Sequence, residues 1–156
     1  MRRTDQGRNR VMRDLGVLTI CVFLVVTAIL DGTSRLHVEN ELGEGTLTYG
    51  GYGRRGEPSP LLLSLTLREA PEELVVWVST EYLESVDFNS WYPEPDSTRP
   101  GPMGIGLVFS DPPARLQISL EAKFSASAPS GALRLAVSVD PGPGVMSFRA
   151  TTWMLP

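Results

Sequence analysis

A two-residue hydrophobic period runs through the chain from Leu61 onward and constrains its fold more than any other feature. In six successive segments, separated by turns rich in Pro, Gly and Asp, apolar residues recur at every second position. The predicted inward positions are Leu61, Leu63, Leu65 and Leu67; Leu74, Val76 and Val78; Ile105, Leu107 and Phe109; Leu116, Ile118, Leu120, Ala122 and Phe124; Leu133, Leu135, Val137 and Val139; and Met146, Phe148 and Ala150. This period is typical of strands with one buried face. Since no long helical pattern intervenes, we predict an antiparallel β-sandwich of immunoglobulin-like type.

A second constraint is an uncharged run of sixteen residues from Leu15 to Leu30, eleven of which are Leu, Val, Ile or Phe. A helix of that length spans about 24 Å, slightly less than the ~30 Å hydrocarbon core of a bilayer. Local thinning of the bilayer and snorkelling of Arg13 compensate for the difference. The run therefore predicts one transmembrane helix over residues 15–30, which acts as a signal anchor and contacts membrane lipid.

Charge is distributed unevenly on the two sides of this run. Residues 1–14 carry a net charge of +3, and the remainder of the chain carries −7. The positive-inside rule predicts a cytoplasmic N-terminus and an extracytoplasmic C-terminal domain. Nucleic-acid binding requires clustered Lys and Arg, so an acidic domain argues against such a partner. Arg supplies thirteen of the fourteen basic residues, which is typical of proteins from GC-rich bacterial genomes.

The same N-terminal features leave a cleaved secretory signal open as an alternative. Cleavage after the sequence Val26-Thr27-Ala28 would leave Ile29 and Leu30 at the new N-terminus. The apolar run is longer than a typical signal h-region of roughly 7–15 residues. An uncleaved anchor is favoured for both reasons, and the acidic domain is exported in either case.

The predicted organisation has four parts. They are a basic cytoplasmic tail at 1–14, the transmembrane helix at 15–30, a juxtamembrane and Gly-rich segment at 31–60, and the sandwich domain at 61–156. Leu36 and Val38 predict at most a weak strand, and the six glycines between residues 43 and 60 indicate a loop or hairpin. No Lys-Ser or Lys-Thr follows them at P-loop spacing, so a phosphate-binding loop is not predicted.

The sequence is poor in catalytic and metal-binding residues. His37 and Cys21 are the only histidine and cysteine, and Cys21 lies inside the predicted anchor. A Cys-His dyad and a zinc or copper site with several His or Cys ligands are thereby excluded. The carboxylates between residues 81 and 96 lack the spacing of a calcium loop, and a small sandwich offers little cleft for glycoside hydrolysis. We predict no catalytic residue, no metal site and no cofactor.

The interval from Ser79 to Gly104 is the longest one without clear strand alternation. Its sequence predicts one helical turn near Ser79 and a brief strand at 86–88, followed by a Pro-rich stretch. Long ordered loops in compact domains are often functional, and interfaces favour aromatic anchors ringed by polar residues. We predict that residues 81–102 form a contact surface. The candidate partner-binding residues are Tyr82, Asp87, Trp91, Tyr92, Glu94 and Asp96. The alternative is that Trp91 plugs one end of the sandwich core.

Two classes of function remain. The favoured one is a non-catalytic accessory or interaction subunit, anchored in the cell membrane beside a membrane-protein or cell-envelope partner. The alternative is a binding module for cell-wall carbohydrate or peptide. An enzyme is the weakest interpretation because the residues for common mechanisms are missing.

Overall fold

The computed structural model describes residues 32–141 and 145–156. The chain divides into two compact units, Met1–Gly32 and Thr33–Pro156. The predicted basic tail and transmembrane helix lie outside the described residues. Within the described part, no helix is long and apolar enough to cross a membrane. Gly32, the first described residue, has a left-handed φ of 59°, a conformation that favours glycine.

Strands account for most of the described chain. In order, the elements are β1 (Thr33–Asn40), β2 (Gly43–Gly50), β3 (Tyr52–Gly53), β4 (Leu61–Leu67), β5 (Glu73–Ser79), α1 (Thr80–Glu84), β6 (Val86–Tyr92), β7 (Ser97–Gly101), β8 (Gly104–Ser110), β9 (Arg115–Phe124), β10 (Gly131–Asp140) and β11 (Met146–Met154).

These strands form two sheets with the orders β1-β2-β4-β9-β6 and β3-β11-β10-β5-β8-β7. The short β3–β11 pair is parallel, and the neighbouring β10–β11 pair is antiparallel like the pairs of the five-stranded sheet. Buried side chains from both inner faces, among them Leu63 on β4 and Val137 on β10, belong to one hydrophobic cluster. The predicted sandwich is confirmed, and the finer immunoglobulin-like strand order stays a prediction.

The alternation predicted from the sequence is realised most clearly in the last strand. Along β11, buried and exposed residues alternate without exception from Met146 to Met154. The inward residues of β4, β9 and β10 are likewise buried or pack against the core. Full burial of each large aliphatic side chain contributes about 1.5–3 kcal/mol, so these strands supply most of the cohesion between the sheets. Ile105, at the start of β8, is an inward position that remains 38% exposed.

The boundary that the sequence predicts at residue 61 is wrong, because the sandwich begins at Thr33. β1 pairs with β2 over eight positions, from Thr33 opposite Gly50 to Asn40 opposite Gly43, and β2 pairs with β4. Two of the glycines that indicate a loop, Gly45 and Gly53, lie instead where a side chain would overlap the core. A Cβ at Gly45 would overlap the Met146 sulfur and would lie 2.7 Å from Cζ of Phe148, so glycine is what lets β2 approach β11.

The interval from Ser79 to Gly104 is also not one long loop. After α1, the chain forms β6 at the edge of the five-stranded sheet and then β7 at the edge of the six-stranded sheet. Residues 93–96 connect the two edges. The predicted brief strand at 86–88 is the first part of β6, which continues to Tyr92 beyond a register shift after Phe88. The sequence does not reveal β7, because its residues, Ser-Thr-Arg-Pro-Gly, include no large apolar side chain.

Trp77 covers the outer face of the six-stranded sheet where β8 and β7 meet. A Cβ on Gly106 would lie 2.9 Å from its Cζ3 atom, and one on Gly101 would overlap the ring. The Arg99 guanidinium lies 5.5 Å from the ring centroid, and Arg99 Nη1 lies 3.6 Å from Glu73 Oε1. Because that ion pair is about half exposed, it contributes little. The fit of the ring over the two glycines holds β7 in place.

We expect Gly101→Ala to lower the free energy of unfolding by about 1–3 kcal/mol, because the added methyl group displaces the Trp77 ring. Gly50→Ala is the matched control, since a Cβ there would sit 3.5 Å from its nearest neighbours, at ordinary contact distance. Urea unfolding of the purified protein, followed by tryptophan fluorescence, measures both. Equal stability of Gly101→Ala and wild type would contradict the described position of Trp77.

Candidate functional site

The best candidate for a contact surface is the exposed edge strand β6. β9 pairs with it on one side, and no strand of the described chain pairs with it on the other. Five of its seven residues are exposed. Phe88 and Tyr92 are exposed by 52% and 77%, which is unusual for aromatic side chains on one short strand.

A β-bulge at Asn89 decides which face each residue of β6 occupies. Phe88 is opposite Ala122 and Ser90 is opposite Glu121, so Asn89 is the extra residue on the bulged strand. Residues three apart on a regular strand point to opposite faces, but one inserted residue restores the same face. Phe88 and Trp91 therefore both face inward.

Trp91 closes the core at this edge. It is opposite the buried Leu120 and packs, half-buried, against the hydrophobic cluster. Its side chain lines a small internal void together with residues of both sheets, including Leu63 of β4 and Val76 of β5. Trp91 thus packs against the core from the edge of the five-stranded sheet.

The outward residues of β6 are Asp87, Ser90 and Tyr92. Asp87 is opposite Lys123 on β9, and the Ser90 hydroxyl donates to Glu121 Oε2 over 3.4 Å. Together with Glu94 just beyond the strand, and with Phe88, which faces inward but is exposed along the free edge, they form what we term the β6 surface, which follows this edge. It carries two exposed aromatic rings among polar and acidic groups.

Two of the six predicted site residues lie elsewhere. Tyr82, on α1, is 1% exposed, and its hydroxyl forms a 2.5 Å hydrogen bond with Ser59 Oγ. Asp96 accepts a hydrogen bond from the backbone N–H of Ser110 at 2.6 Å, at the far end of β8. Tyr82 therefore belongs to the core. Asp96 holds the connection between β6 and β7, residues 93–96, against the end of β8. Asp87, Trp91 and Tyr92 share β6, and Glu94 follows it.

Phe88 is an exposed residue of the β6 surface that is not among the six site residues predicted from the sequence. Simple alternation from Val86 predicts that Phe88 faces inward and is buried, and it does face inward. Its exposure arises because β6 is the last strand of its sheet, which leaves the outer side of the ring uncovered. The sequence feature that could have identified Phe88 as an exposed residue is its place among polar neighbours, in the sequence Asp-Phe-Asn-Ser.

Burial raises the pKa of the Tyr82 phenol above its ordinary value of 10.0, and the hydrogen bond with Ser59 acts in the opposite direction. The phenol therefore stays neutral at physiological pH, and its contact with Ser59 is structural. Within residues 32–141 and 145–156, no group of three or more His, Cys, Asp or Glu is placed to hold a metal ion.

Two shallow cavities lie at the opposite end of the sandwich from the start of β1. Their volumes are about 450 and 250 Å³, and they share Leu67 and Arg68. Glu41 and Glu69 line the larger cavity, and Glu39 and Glu44 line the smaller one. We term this region the acidic end. In the part of the chain that the structure describes, every buried polar side-chain atom has a hydrogen-bond partner, so no orphaned group marks a ligand there.

Trp91→Ala and Tyr92→Ala form a matched pair, since the two aromatic residues are neighbours on one strand. We expect Trp91→Ala to lose about 3 kcal/mol of stability because it removes core packing. Tyr92→Ala should change stability by less than about 0.5 kcal/mol, as is usual for exposed positions. Urea unfolding measures both, and equal losses would show that the two rings are not on opposite faces of β6.

Alkaline pH should destabilise the protein through Tyr82. Because the folded-state pKa is raised, the unfolded chain loses the phenolic proton first. Stability is therefore fully present below about pH 10 and is lost as the pH rises through the folded pKa. We expect the stability of Tyr82→Phe to depend less on alkaline pH than that of the wild type. At neutral pH, this variant should be less stable by about 1–2 kcal/mol, because the Ser59 hydroxyl loses its partner. Tyr52→Phe, at an exposed tyrosine, should keep the wild-type pH slope, and an unchanged slope in Tyr82→Phe would disprove the assignment.

Comparison with known proteins adds two distant structural similarities. No protein-family model matches the sequence, and no curated protein matches it. Among solved structures, the chain is similar to self-complemented MyfA, the major subunit of Myf fimbriae from Yersinia enterocolitica, with a TM-score of 0.45 and 11% identity over 80% of this chain and 98% of that one. The galactose complex of the same protein gives a TM-score of 0.36 and 12% identity over 77% and 95%. Similarity at this level does not establish a shared family or function.

Proposed function

We propose that this chain is a membrane-anchored, extracytoplasmic β-sandwich protein of immunoglobulin-like type, which acts as a non-catalytic interaction subunit at the cell envelope. Its partner is a membrane protein or another component of the envelope, and the β6 surface is the contact site. The observation that carries the proposal is the pair of exposed aromatic rings, Phe88 and Tyr92, on an edge strand.

The composition of the β6 surface favours protein binding. Aromatic side chains are enriched among the residues that dominate binding energy, and a polar rim excludes water around them. Phe88 and Tyr92 are the aromatic anchors here, while Asp87, Ser90 and Glu94 supply the rim. The free backbone edge of β6 adds donors and acceptors on either side of the bulge, which a short extended segment of a partner can use.

The other long edge strands are less suited to this role. β7 contains Pro100, which lacks a backbone N–H and therefore weakens any further pairing. On β1, the exposed positions include Arg35, His37 and Glu39, and charged side chains discourage the addition of another strand. β6 is the long edge that presents exposed aromatic residues.

Anchoring and export rest on the sequence. The apolar run at 15–30 and the contrast between a basic N-terminus and an acidic remainder support a cytoplasmic N-terminus and an extracytoplasmic domain. A non-catalytic role is supported by the environments of two residues that catalysis often uses. His37 is an exposed residue of β1 whose Nδ1 bonds with the Thr46 hydroxyl at 3.2 Å, and Tyr82 is engaged in the core with Ser59.

Site-specific photo-crosslinking in intact cells tests the proposal. We expect a benzophenone side chain at position 92 to give a discrete adduct with a second protein. The same group at Ser147, an exposed outward position on β11, should give none. Phe88→Ala should weaken the adduct at position 92 because it removes the second aromatic anchor of the same edge strand, which lies on the other face of β6.

Two other outcomes would contradict this function. Retention of the purified protein on isolated cell wall, lost in Tyr92→Ala and without any protein adduct, would support the binding module for carbohydrate or peptide instead. Absence of both the adduct and cell-wall retention would show that the β6 surface is not a contact site. Because Tyr92→Ala is expected to fold normally, a loss of binding in that variant reports on the surface rather than on stability.

A further inference from the structure

We propose that the end of the sandwich at which β1 begins rests on the lipid surface, with the side chains of Tyr52, Trp153 and Leu155 in the membrane interface. We term these three residues the Tyr52–Trp153 corner. This inference rests on the membrane anchor of the proposed function and adds a second contact, between the folded domain and lipid. It is independent of the β6 surface.

The corner is built by the parallel pairing of β3 with the end of β11. Tyr52 is the register partner of Trp153, so their side chains share one face of the sheet. The Trp153 N–H donates to the Gly51 carbonyl at 2.9 Å, and the Leu155 N–H donates to the Gly53 carbonyl at 2.9 Å. These backbone hydrogen bonds fix the three side chains relative to one another.

All three side chains are exposed, and their chemistry suits a lipid interface. Tyr52 is 58% exposed, Trp153 is 53% exposed and Leu155 is 39% exposed. Adjoining exposed apolar residues mark contact sites. Trp and Tyr in particular are enriched at the boundary between lipid and water, where an apolar ring with one polar group is favoured.

The corner lies at the end of the domain that the N-terminal segment enters. Thr33, the first residue of β1, is the register partner of Gly50. The Gly50 carbonyl in turn accepts a 2.6 Å hydrogen bond from the Thr152 hydroxyl, next to Trp153. Hydrogen bonds and strand pairing thus link the start of β1 directly to the corner.

The connecting chain is too short to hold this end far from the bilayer. Only residues 31 and 32 separate the predicted anchor, which ends at Leu30, from Thr33. Three Cα–Cα steps of ~3.8 Å reach at most about 11 Å. The headgroup region on each side of the hydrocarbon core is about 5–8 Å thick, so Thr33 lies in or just outside the headgroups if the anchor spans the membrane.

Charged side chains of both signs lie at the corner end of the domain, where Asp87 on β6 is the register partner of Lys123, which in turn is next to Pro58. Arg54 and Arg55 follow β3, and Arg55 is fastened by its Nε to the Ala128 carbonyl at 2.9 Å. Arg54 is exposed and available for anionic headgroups, although the carboxylate of Glu57 lies in the same connection. The glutamates of the acidic end lie at the opposite end of the strands, away from an anionic lipid surface, which would repel them.

Quenching of tryptophan fluorescence by brominated lipid tests this contact. The full-length protein is reconstituted into vesicles of phosphatidylcholine and phosphatidylglycerol, with and without bromine on the acyl chains near the headgroups. We expect quenching in the wild-type protein and little quenching in Trp153→Phe, because Trp91 lies in the core and Trp77 lies over the glycines of the six-stranded sheet.

A matched control moves the reporter to the opposite end of the domain. Val145 is 54% exposed, almost the same as Trp153, and precedes β11. The double variant Trp153→Phe with Val145→Trp should show no more quenching than Trp153→Phe alone. Equal quenching of wild type and Trp153→Phe, or strong quenching from position 145, would overturn the proposed orientation.

Flotation of the same vesicles separates this inference from the proposed function. Protein that floats with the vesicles but shows no quenching of Trp153 retains its anchor and refutes the corner contact. Protein that does not float lacks the anchor, so the proposed function and this inference both fail. Unquenched Trp153 together with a crosslinked dimer would assign the corner to a second copy of the chain and would also refute the lipid contact.

Discussion

The structure depends on the burial of four central strands against each other. β4 and β9 of one sheet and β10 and β5 of the other supply most of the hydrophobic cluster. At roughly 25 cal/mol per Å² of apolar surface removed from water, this contact is the main favourable term. The strands at the margins, β1, β3, β6 and β7, are held by pairing with strands whose positions the core has already determined.

The sequence predicts the central strands well because burial on one face imposes a period of two. Leu61 to Leu67 and Leu133 to Val139 show this period, and both segments are strands with the predicted inward residues. The strands at the margins of the sheets have a less regular apolar pattern in the sequence. β2 places Gly45 at an inward position where the two sheets approach closely, and β7 is held by its pairing with β8 and by the Trp77 ring, which reaches over β8 from β5. Neither arrangement leaves an apolar period to detect.

In the candidate site, the sequence likewise does not show which single residues are buried and which are exposed. The sequence identifies Trp91 and Tyr92 as notable, but adjacent residues of a strand face opposite sides, so at most one of them can be in the core. Which of the two faces the core depends on how many residues separate it from the start of the strand. The extra residue at the Asn89 bulge reverses the faces of all the residues that follow. Tyr82 shows the opposite case, since a short helix carries it into the core where Ser59 satisfies its hydroxyl.

The bulge at Asn89 also has a consequence for solubility. A flat, exposed, seven-residue strand is a template for edge-to-edge aggregation. A bulge interrupts the row of backbone donors and acceptors and twists the strand, so another flat strand cannot pair along its whole length. β6 therefore combines exposed aromatic side chains with a backbone edge that resists self-association in sheets.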